Sequence, residues 1–158
     1  MSAFSKFTTL SAILLILTGG LFSCEEKKEY PKEIPFVEYS LIETSCEWTV
    51  DYWHSSGGYS GNIIVINSSE DLKNHINCND YPSVDFSKQT LLLVYGLSPS
   101  QPQISLSKQF WQISTNNYSL NIEILLGVSR VIGVWDVALL VPKIANGTTI
   151  TLDVLQSQ

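Results

Sequence analysis

The last third of the chain alternates apolar and polar residues, and this pattern constrains the fold more than any other feature. Over residues 118–126, tyrosine, leucine and isoleucine share one face, while serine, asparagine and glutamate share the other. Residues 148–155 repeat the pattern with isoleucine, leucine and valine against threonine and aspartate. Such alternation is typical of strands that turn one face to a core and the other to solvent. We therefore predict a mainly β protein.

Other segments extend the β prediction along the chain. The apolar run at residues 91–95 has no polar alternation and predicts a central strand covered on both faces, which Gly96 ends. Asn116 and Asn117, and then Asn146 and Gly147, are typical of tight hairpin turns because these residues tolerate positive φ. The remaining strands are predicted at residues 36–43, 46–53, 62–66, 109–113 and 131–141.

One helix is predicted, at about residues 68–77. Ser68 is suited to cap its start, acidic residues occupy its first turn, and Leu72 and Ile76 lie four apart on one face. The fold class that follows is an antiparallel sandwich or open barrel of about seven to eight strands with one short helix. Residues 36–158 are predicted to form this single β-rich globular domain.

The N-terminus carries a short apolar segment that is typical of export. Lys6 precedes residues 7–22, which contain no charge, but the apolar centre is too short for a convincing bilayer span. The sequence Leu-Phe-Ser-Cys at residues 21–24 resembles the lipobox of bacterial lipoproteins. That resemblance implies a signal peptide at residues 1–23 and acyl chains on Cys24, which would hold the protein on a lipid membrane. The alternatives are an uncleaved anchor helix or a cleaved, soluble protein.

Residues 24–35 are predicted to form a charged tether, because such a segment cannot bury apolar surface. Its acidic cluster resembles the export signal of surface lipoproteins in the Bacteroidetes group, and a generic spacer is the alternative. These resemblances imply an outer-membrane lipoprotein of the bacterial cell envelope. Whether it faces the periplasm or the cell surface stays open.

The net charge limits the classes of partner that the chain can bind. The signal holds one of the nine basic residues and none of the fifteen acidic ones, so eight against fifteen leaves a mature net charge of −7. This balance argues against nucleic-acid binding.

With Cys24 acylated, Cys46 and Cys78 form an even pair that predicts a disulfide, with two buried free thiols as the alternative. No ligand spacing indicates a metal site, and we expect no cofactor.

The sequence contains no arrangement typical of an active site, and we predict that the chain is not an enzyme. The nearest approach is His54 with Ser60, but the glycine after Ser60 comes one place too early for a nucleophile elbow. A hydrolase using these two residues is the remaining enzymatic alternative. Asp136 lies in an apolar run and is expected to be partly buried and hydrogen-bonded.

Aromatic residues around a glycine-rich loop are the candidate binding surface. Tyr52, Trp53 and Tyr59 flank this loop, and exposed aromatic rings stack on sugars or fill pockets of partner proteins. The alternative is that the four tryptophans fill the β core. We predict a non-enzymatic binding or scaffolding domain for an unknown envelope protein. A glycan-contacting accessory lipoprotein is the alternative.

Residues 66–158 also resemble a family of small uncharacterised Bacteroidetes lipoproteins. The resemblance is carried by Glu-Asp-Leu at 70–72, Val-Asp-Phe-Ser-Lys-Gln-Thr-Leu-Leu-Leu at 84–93 and Ala-Leu-Leu-Val-Pro-Lys at 138–143. More distantly, the Asp-Phe-Ser-Lys turn before an apolar strand is similar to the C-terminal domain of the protease-complex subunit PrcB. The Gly-Gly-Tyr loop expected after that strand is replaced here by Leu-Ser-Pro-Ser at 97–100. The resemblance implies a role in stabilising a protease complex, and it implies no active site.

Overall fold

The computed structural model describes residues 29–41, 45–78 and 83–158, apart from the side chains of residues 103–106. The predicted signal peptide, Cys24 and the first part of the predicted tether lie outside these residues, so the predictions about them stay predictions. The strands in chain order are β1 (Lys32–Glu33), β2 (Val37–Glu38), β3 (Glu47–Trp48), β4 (Asn62–Ile66), β5 (Ile76–Asn77), β6 (Gln89–Ser98), β7 (Pro102–Ser114), β8 (Asn117–Leu126), β9 (Gly133–Pro142) and β10 (Thr149–Ser157). The helix α1 spans Ser69–His75, and a 3₁₀ turn spans Gly58–Ser60.

The long strands form two four-stranded sheets. Sheet I has the order β1-β7-β8-β10, sheet II has the order β2-β9-β6-β4, and β3 pairs separately with β5. The mainly β fold with one short helix, predicted from the sequence, is confirmed, and its arrangement is consistent with a β-sandwich. The described residues contain more strands than the predicted seven or eight, because β1, β2, β3 and β5 are only two residues long. In the segments at 36–43 and 46–53, predicted as full strands, the residues that the structure describes contribute only such short pairings.

Sheet II separates two apolar clusters because its central strands are covered on both faces. The inner cluster fills the space between the sheets and contains Phe110, Leu120 and Leu139. The outer cluster packs α1 and the β3–β5 pair against sheet II, through residues such as Leu72 and Leu93. Strand β6 supplies side chains to both clusters, so the predicted two-sided burial of residues 91–95 is confirmed. Gly96 does not end this strand as predicted, since β6 continues to Ser98.

The two predicted asparagine turns have different outcomes. The turn at Thr115 and Asn116 joins β7 to β8 as an antiparallel hairpin, as predicted. The second turn contains Gly147 with φ of 79°, but the chain passes there from sheet II to sheet I, where β10 pairs in parallel with β8. The prediction of a β9–β10 hairpin is therefore wrong. No non-glycine residue in the described ranges has positive φ, so the asparagines do not use that conformation.

The helix begins where the sequence predicts. The Ser68 side chain accepts a hydrogen bond from the Asp71 backbone N–H at 3.0 Å, and α1 then buries Leu72 against sheet II. At the other side of the sandwich, β1 pairs with Gln112 and Trp111 of β7. The sandwich thus includes residues that the sequence assigns to the tether.

Candidate functional site

The sandwich has two distinct ends along the direction of β8. At the entry end, β1 pairs near the β7–β8 turn, and the Tyr30 hydroxyl lies 3.5 Å from Thr115 Oγ1. At the far end, β8 stops at Leu126, and residues 127–132 lead into β9. Ten strand residues at about 3.4 Å each separate these ends by about 30 Å. The chain therefore enters the sandwich on the side opposite to residues 127–132.

The glycine-rich loop at residues 55–61 covers a buried tryptophan at the far end. A Cβ atom on Gly96 would lie 2.8 Å from the Trp135 ring and 3.0 Å from the Gly61 Cα, so only glycine permits this close approach. The Trp135 indole N–H donates to the Leu97 carbonyl at 3.0 Å. The Gln156 side-chain amide donates to the carbonyls of Tyr59 and Leu97, at 2.8 and 2.9 Å. Because Gly61 and Gly96 have no side chains, the loop can pack closely onto the sandwich.

The structure places the three predicted aromatic residues in two different environments. Trp53 is 61% exposed and Tyr59 is 50% exposed, and both lie in the segment that leads into Asn62 of β4, which pairs with Tyr95 towards the far end of β6. Tyr52 is half-buried, its hydroxyl donates to Asp136 Oδ2 at 2.8 Å, and its ring meets Tyr95 edge-on at 5.7 Å. Burial and the neighbouring Asp136 carboxylate raise the pKa of Tyr52 above its usual range. Tyr52 thus anchors the loop, while Trp53 and Tyr59 are available for contact.

Asp136 accepts the hydrogen bond expected from the sequence, but it is exposed rather than partly buried. Its neighbours Trp135 and Val137 point into the inner cluster, so alternation along β9 sends Asp136 to the outer face of sheet II. The tryptophans likewise divide between core and surface. Trp135 is buried and Trp53 is exposed, so a core made of all four tryptophans is not what the structure shows.

An apolar loop that the sequence did not reveal lies at the same end. Val128 is fully exposed, Val131 is 68% exposed, and Ile132 and Val134 are also exposed. Arg130 is the single charged residue among residues 127–134. The sequence predicts a strand at residue 131, because branched apolar residues are equally typical of a buried strand. We call residues 127–132 the tip loop.

The hydrolase candidates do not form a nucleophile–base pair. The His54 ring Nδ1 lies 3.0 Å from Asp51 Oδ2, and both side chains are largely exposed. Hydrogen bonds from the His54 and Trp53 backbone N–H groups to Asp51 Oδ1 fix this turn, and the His54 N–H contributes most to lowering the pKa of Asp51. In the described part of the chain, no hydrogen bond joins Ser60 to His54.

A lateral cavity of about 460 Å³ opens beside β2 and β9. Its acidic residues are Glu38, Glu47 and Asp136, and its aromatic residues are Tyr39, Trp48 and Tyr52. Lys108 also lines it, and the Lys108 Nζ lies 2.6 Å from Glu38 Oε1, although the lysine side chain is only 8% exposed. No local pattern in the sequence indicates this site, because its walls come from four separate segments.

The disulfide between Cys46 and Cys78 supports one wall of this cavity. The structure joins the two residues with a Cα–Cα distance of 4.5 Å. Glu47 and Trp48, which directly follow Cys46, form β3 and pair with β5 just before Cys78. The bridge thus fastens the β3–β5 pair that carries Glu47 and Trp48.

The described residues contain neither a cluster of metal ligands nor a helix that could span a membrane. No three His, Cys, Asp or Glu side chains come together there as a group that could hold a metal ion. The helices found in the described ranges are all too short or too polar to cross a bilayer.

In comparisons with known proteins, no family model, curated protein or solved structure matches this chain significantly. The resemblances drawn from the sequence therefore stay predictions.

Proposed function

We propose that the chain is a membrane-anchored lipoprotein of the bacterial envelope whose sandwich is a non-enzymatic binding domain for a partner protein. The observation that carries the proposal is the exposed apolar surface at the far end of the sandwich. This far-end surface consists of Trp53, Tyr59 and the tip loop. It lies about 30 Å from the end at which the chain enters from the predicted anchor, so the anchored domain would present it away from the membrane.

Exposed apolar residues in such a group are uncommon on a domain that works alone. Loops at the ends of strands are usually polar, and contiguous apolar patches on soluble domains mark interaction sites. The tip loop instead exposes Val128, Val131 and Ile132, and Trp53 and Tyr59 are exposed at the same end. Aromatic residues contribute strongly to binding energy when a partner buries them. This combination favours a protein partner with an apolar pocket.

A second lipid surface fits the far end less well than a protein does. Anionic membranes attract clusters of lysine and arginine, whereas Arg130 is the single basic residue of the tip loop. The predicted mature chain also has a net charge of −7. The glycan-contacting alternative has one observation in its favour, which is the exposure of the Trp53 and Tyr59 rings. Sugars stack on such rings, but they gain little from the valine and isoleucine side chains of the tip loop.

The tip loop gives the first prediction. The triple variant V128S/V131S/I132S is expected to reduce crosslinking to a discrete envelope protein by about tenfold, since it removes the apolar contact area. The measurement places a photo-crosslinking amino acid at Ser129 in bacterial cells that produce the protein. Stability should change little, because exposed positions without special contacts alter the free energy of unfolding by about 0.5 kcal/mol or less.

The control for this experiment is L155S, which changes an exposed leucine on the edge strand β10 and should leave the crosslinked adduct intact. Retention of the adduct by the triple variant, or equal loss with L155S, would contradict the tip-loop surface. Loss of binding to isolated envelope polysaccharide in W53A/Y59A, with no effect of the tip-loop variant, would instead favour the glycan alternative.

The anchor gives a second prediction. C24A is expected to move the protein from the membrane fraction to the soluble fraction, because two or three acyl chains make attachment stable and their loss removes it. Fractionation followed by immunoblotting measures the change, with the wild type as the reference. A C24A protein that stays with the membrane would contradict lipid anchoring at this cysteine. Protease added to intact cells then distinguishes the sides, since only a surface-exposed protein is degraded.

A further inference from the structure

We propose that the lateral cavity beside β2 and β9 binds an organic cation, namely an ammonium or guanidinium group carried on an apolar stem. This site lies on the flank of the sandwich, separate from the far-end surface, and it does not rest on the function proposed above. Its volume of about 460 Å³ falls in the range of small-molecule sites and is far larger than a single ion needs.

The charge of the cavity favours a cation. Three carboxylates, of Glu38, Glu47 and Asp136, face one ammonium, of Lys108, so the lining carries a net charge of −2. Lys108 is largely buried and pairs with Glu38 at 2.6 Å, which satisfies both of these charges. Among the described residues, no ion pair compensates Glu47 or Asp136. An anionic ligand would meet uncompensated repulsion here, whereas a cation would be attracted.

The aromatic walls suit an organic cation rather than a metal ion. The Tyr39 and Trp48 rings pack with centroids 6.2 Å apart, and Tyr52 lies beside Asp136. Aromatic faces attract ammonium and guanidinium groups and also cover the apolar stems that carry them. The carboxylates do not gather into a group that could hold a metal within the described ranges. Their spacing around a wider cavity suits a larger ligand.

One buried polar atom of the lining has no partner. The Tyr39 hydroxyl is shielded from solvent and makes no hydrogen bond to any residue that the structure describes, and burial raises its pKa. A buried hydroxyl without a partner costs free energy, so such atoms call for a structural or functional explanation. Because Tyr39 also lines the cavity, a bound ligand whose polar atoms reach this hydroxyl would give it a partner.

The experiment titrates the purified protein with defined probes at low salt and follows binding by NMR. The peptide arm uses acetyl-Ala-Arg-Ala-amide, and the free-amine arm uses agmatine. The neutral control replaces arginine by citrulline, which has the same shape without the charge. Saturable shifts at Trp48 and Ala138 are expected with both cations, and the citrulline peptide should bind at least about tenfold more weakly. Tighter binding of the peptide than of agmatine would identify a side chain of a protein as the source, and the reverse would identify a free amine.

The test variant is E47Q/D136N, and its matched control is E123Q. The double variant should weaken binding of the arginine peptide by about tenfold or more, while the amide oxygen that it introduces can still accept the Tyr52 hydroxyl. E123Q changes the same kind of side chain on the exposed face of β8 and should leave binding unchanged. Equal affinity for the arginine and citrulline peptides, unchanged binding by E47Q/D136N, or no saturable shift with any cation up to about 10 mM would overturn the proposal.

Discussion

Replacing Phe110 with alanine (F110A) is expected to lower the free energy of unfolding by about 3–5 kcal/mol. Phe110 is completely buried between the two sheets, and its ring stacks on Tyr118 with centroids 5.3 Å apart. Truncation removes the transfer free energy of the ring and leaves a cavity that the rigid strands β7 and β8 can only partly close. Urea denaturation of the purified protein, monitored by tryptophan fluorescence, measures the change.

The matched control lies on the same strand. Ile113 is exposed, so I113A removes an apolar side chain without opening a cavity, and its effect should stay within about 0.5 kcal/mol. An effect of F110A as small as that of I113A would mean that the inner cluster does not hold the sheets together. The far-end surface would then lack the rigid support that a preformed binding site needs.

Local patterns in the sequence were enough to predict several elements. Ser68 indicated the start of the helix, and the alternation of residues 118–126 indicated β8, because each signal depends on neighbours only a few residues away. The unbroken apolar run of β6 also indicated burial on both faces correctly. These features follow from periodicity, which depends on local geometry alone.

The arrangement of strands could not be predicted in the same way. Asn146 and Gly147 favour a tight turn, and a turn does form there, but nothing local decides which sheet the following strand joins. The parallel pairing of β10 with β8 depends on burial of Ile150, Leu152 and Val154 against the inner cluster. That gain comes from residues distant in sequence.

The candidate sites illustrate the same limit. All three of Tyr52, Trp53 and Tyr59 are predicted as a surface because they flank glycines, but Tyr52 is half-buried and its hydroxyl donates to Asp136, 84 residues away. The tip loop could not be predicted, because valines are equally typical of a buried strand. The lateral cavity depends on contacts such as Lys108 with Glu38, which are 70 residues apart and carry no local signal.

Removal of the disulfide tests the link between stability and the lateral cavity. The variant C46S/C78S is expected to lower the free energy of unfolding by about 3–4 kcal/mol, because the bridge closes a loop of 32 residues in the unfolded chain. The folded variant should also bind the arginine peptide more weakly. Without the bridge, fewer contacts position Glu47 and Trp48 at the cavity, namely the short β3–β5 pairing and the packing of Trp48 on Tyr39.

Two measurements separate these effects. Urea denaturation with and without a reductant gives the stability term, and the reductant should destabilise the wild type while leaving C46S/C78S unchanged. Titration with the arginine peptide under native conditions gives the binding term, with the citrulline peptide as the control for binding that does not depend on charge. A variant with the wild-type urea midpoint would contradict the stabilising role of the bridge. A destabilised variant that binds the peptide at full strength would show that the β3–β5 pair holds the cavity wall without it.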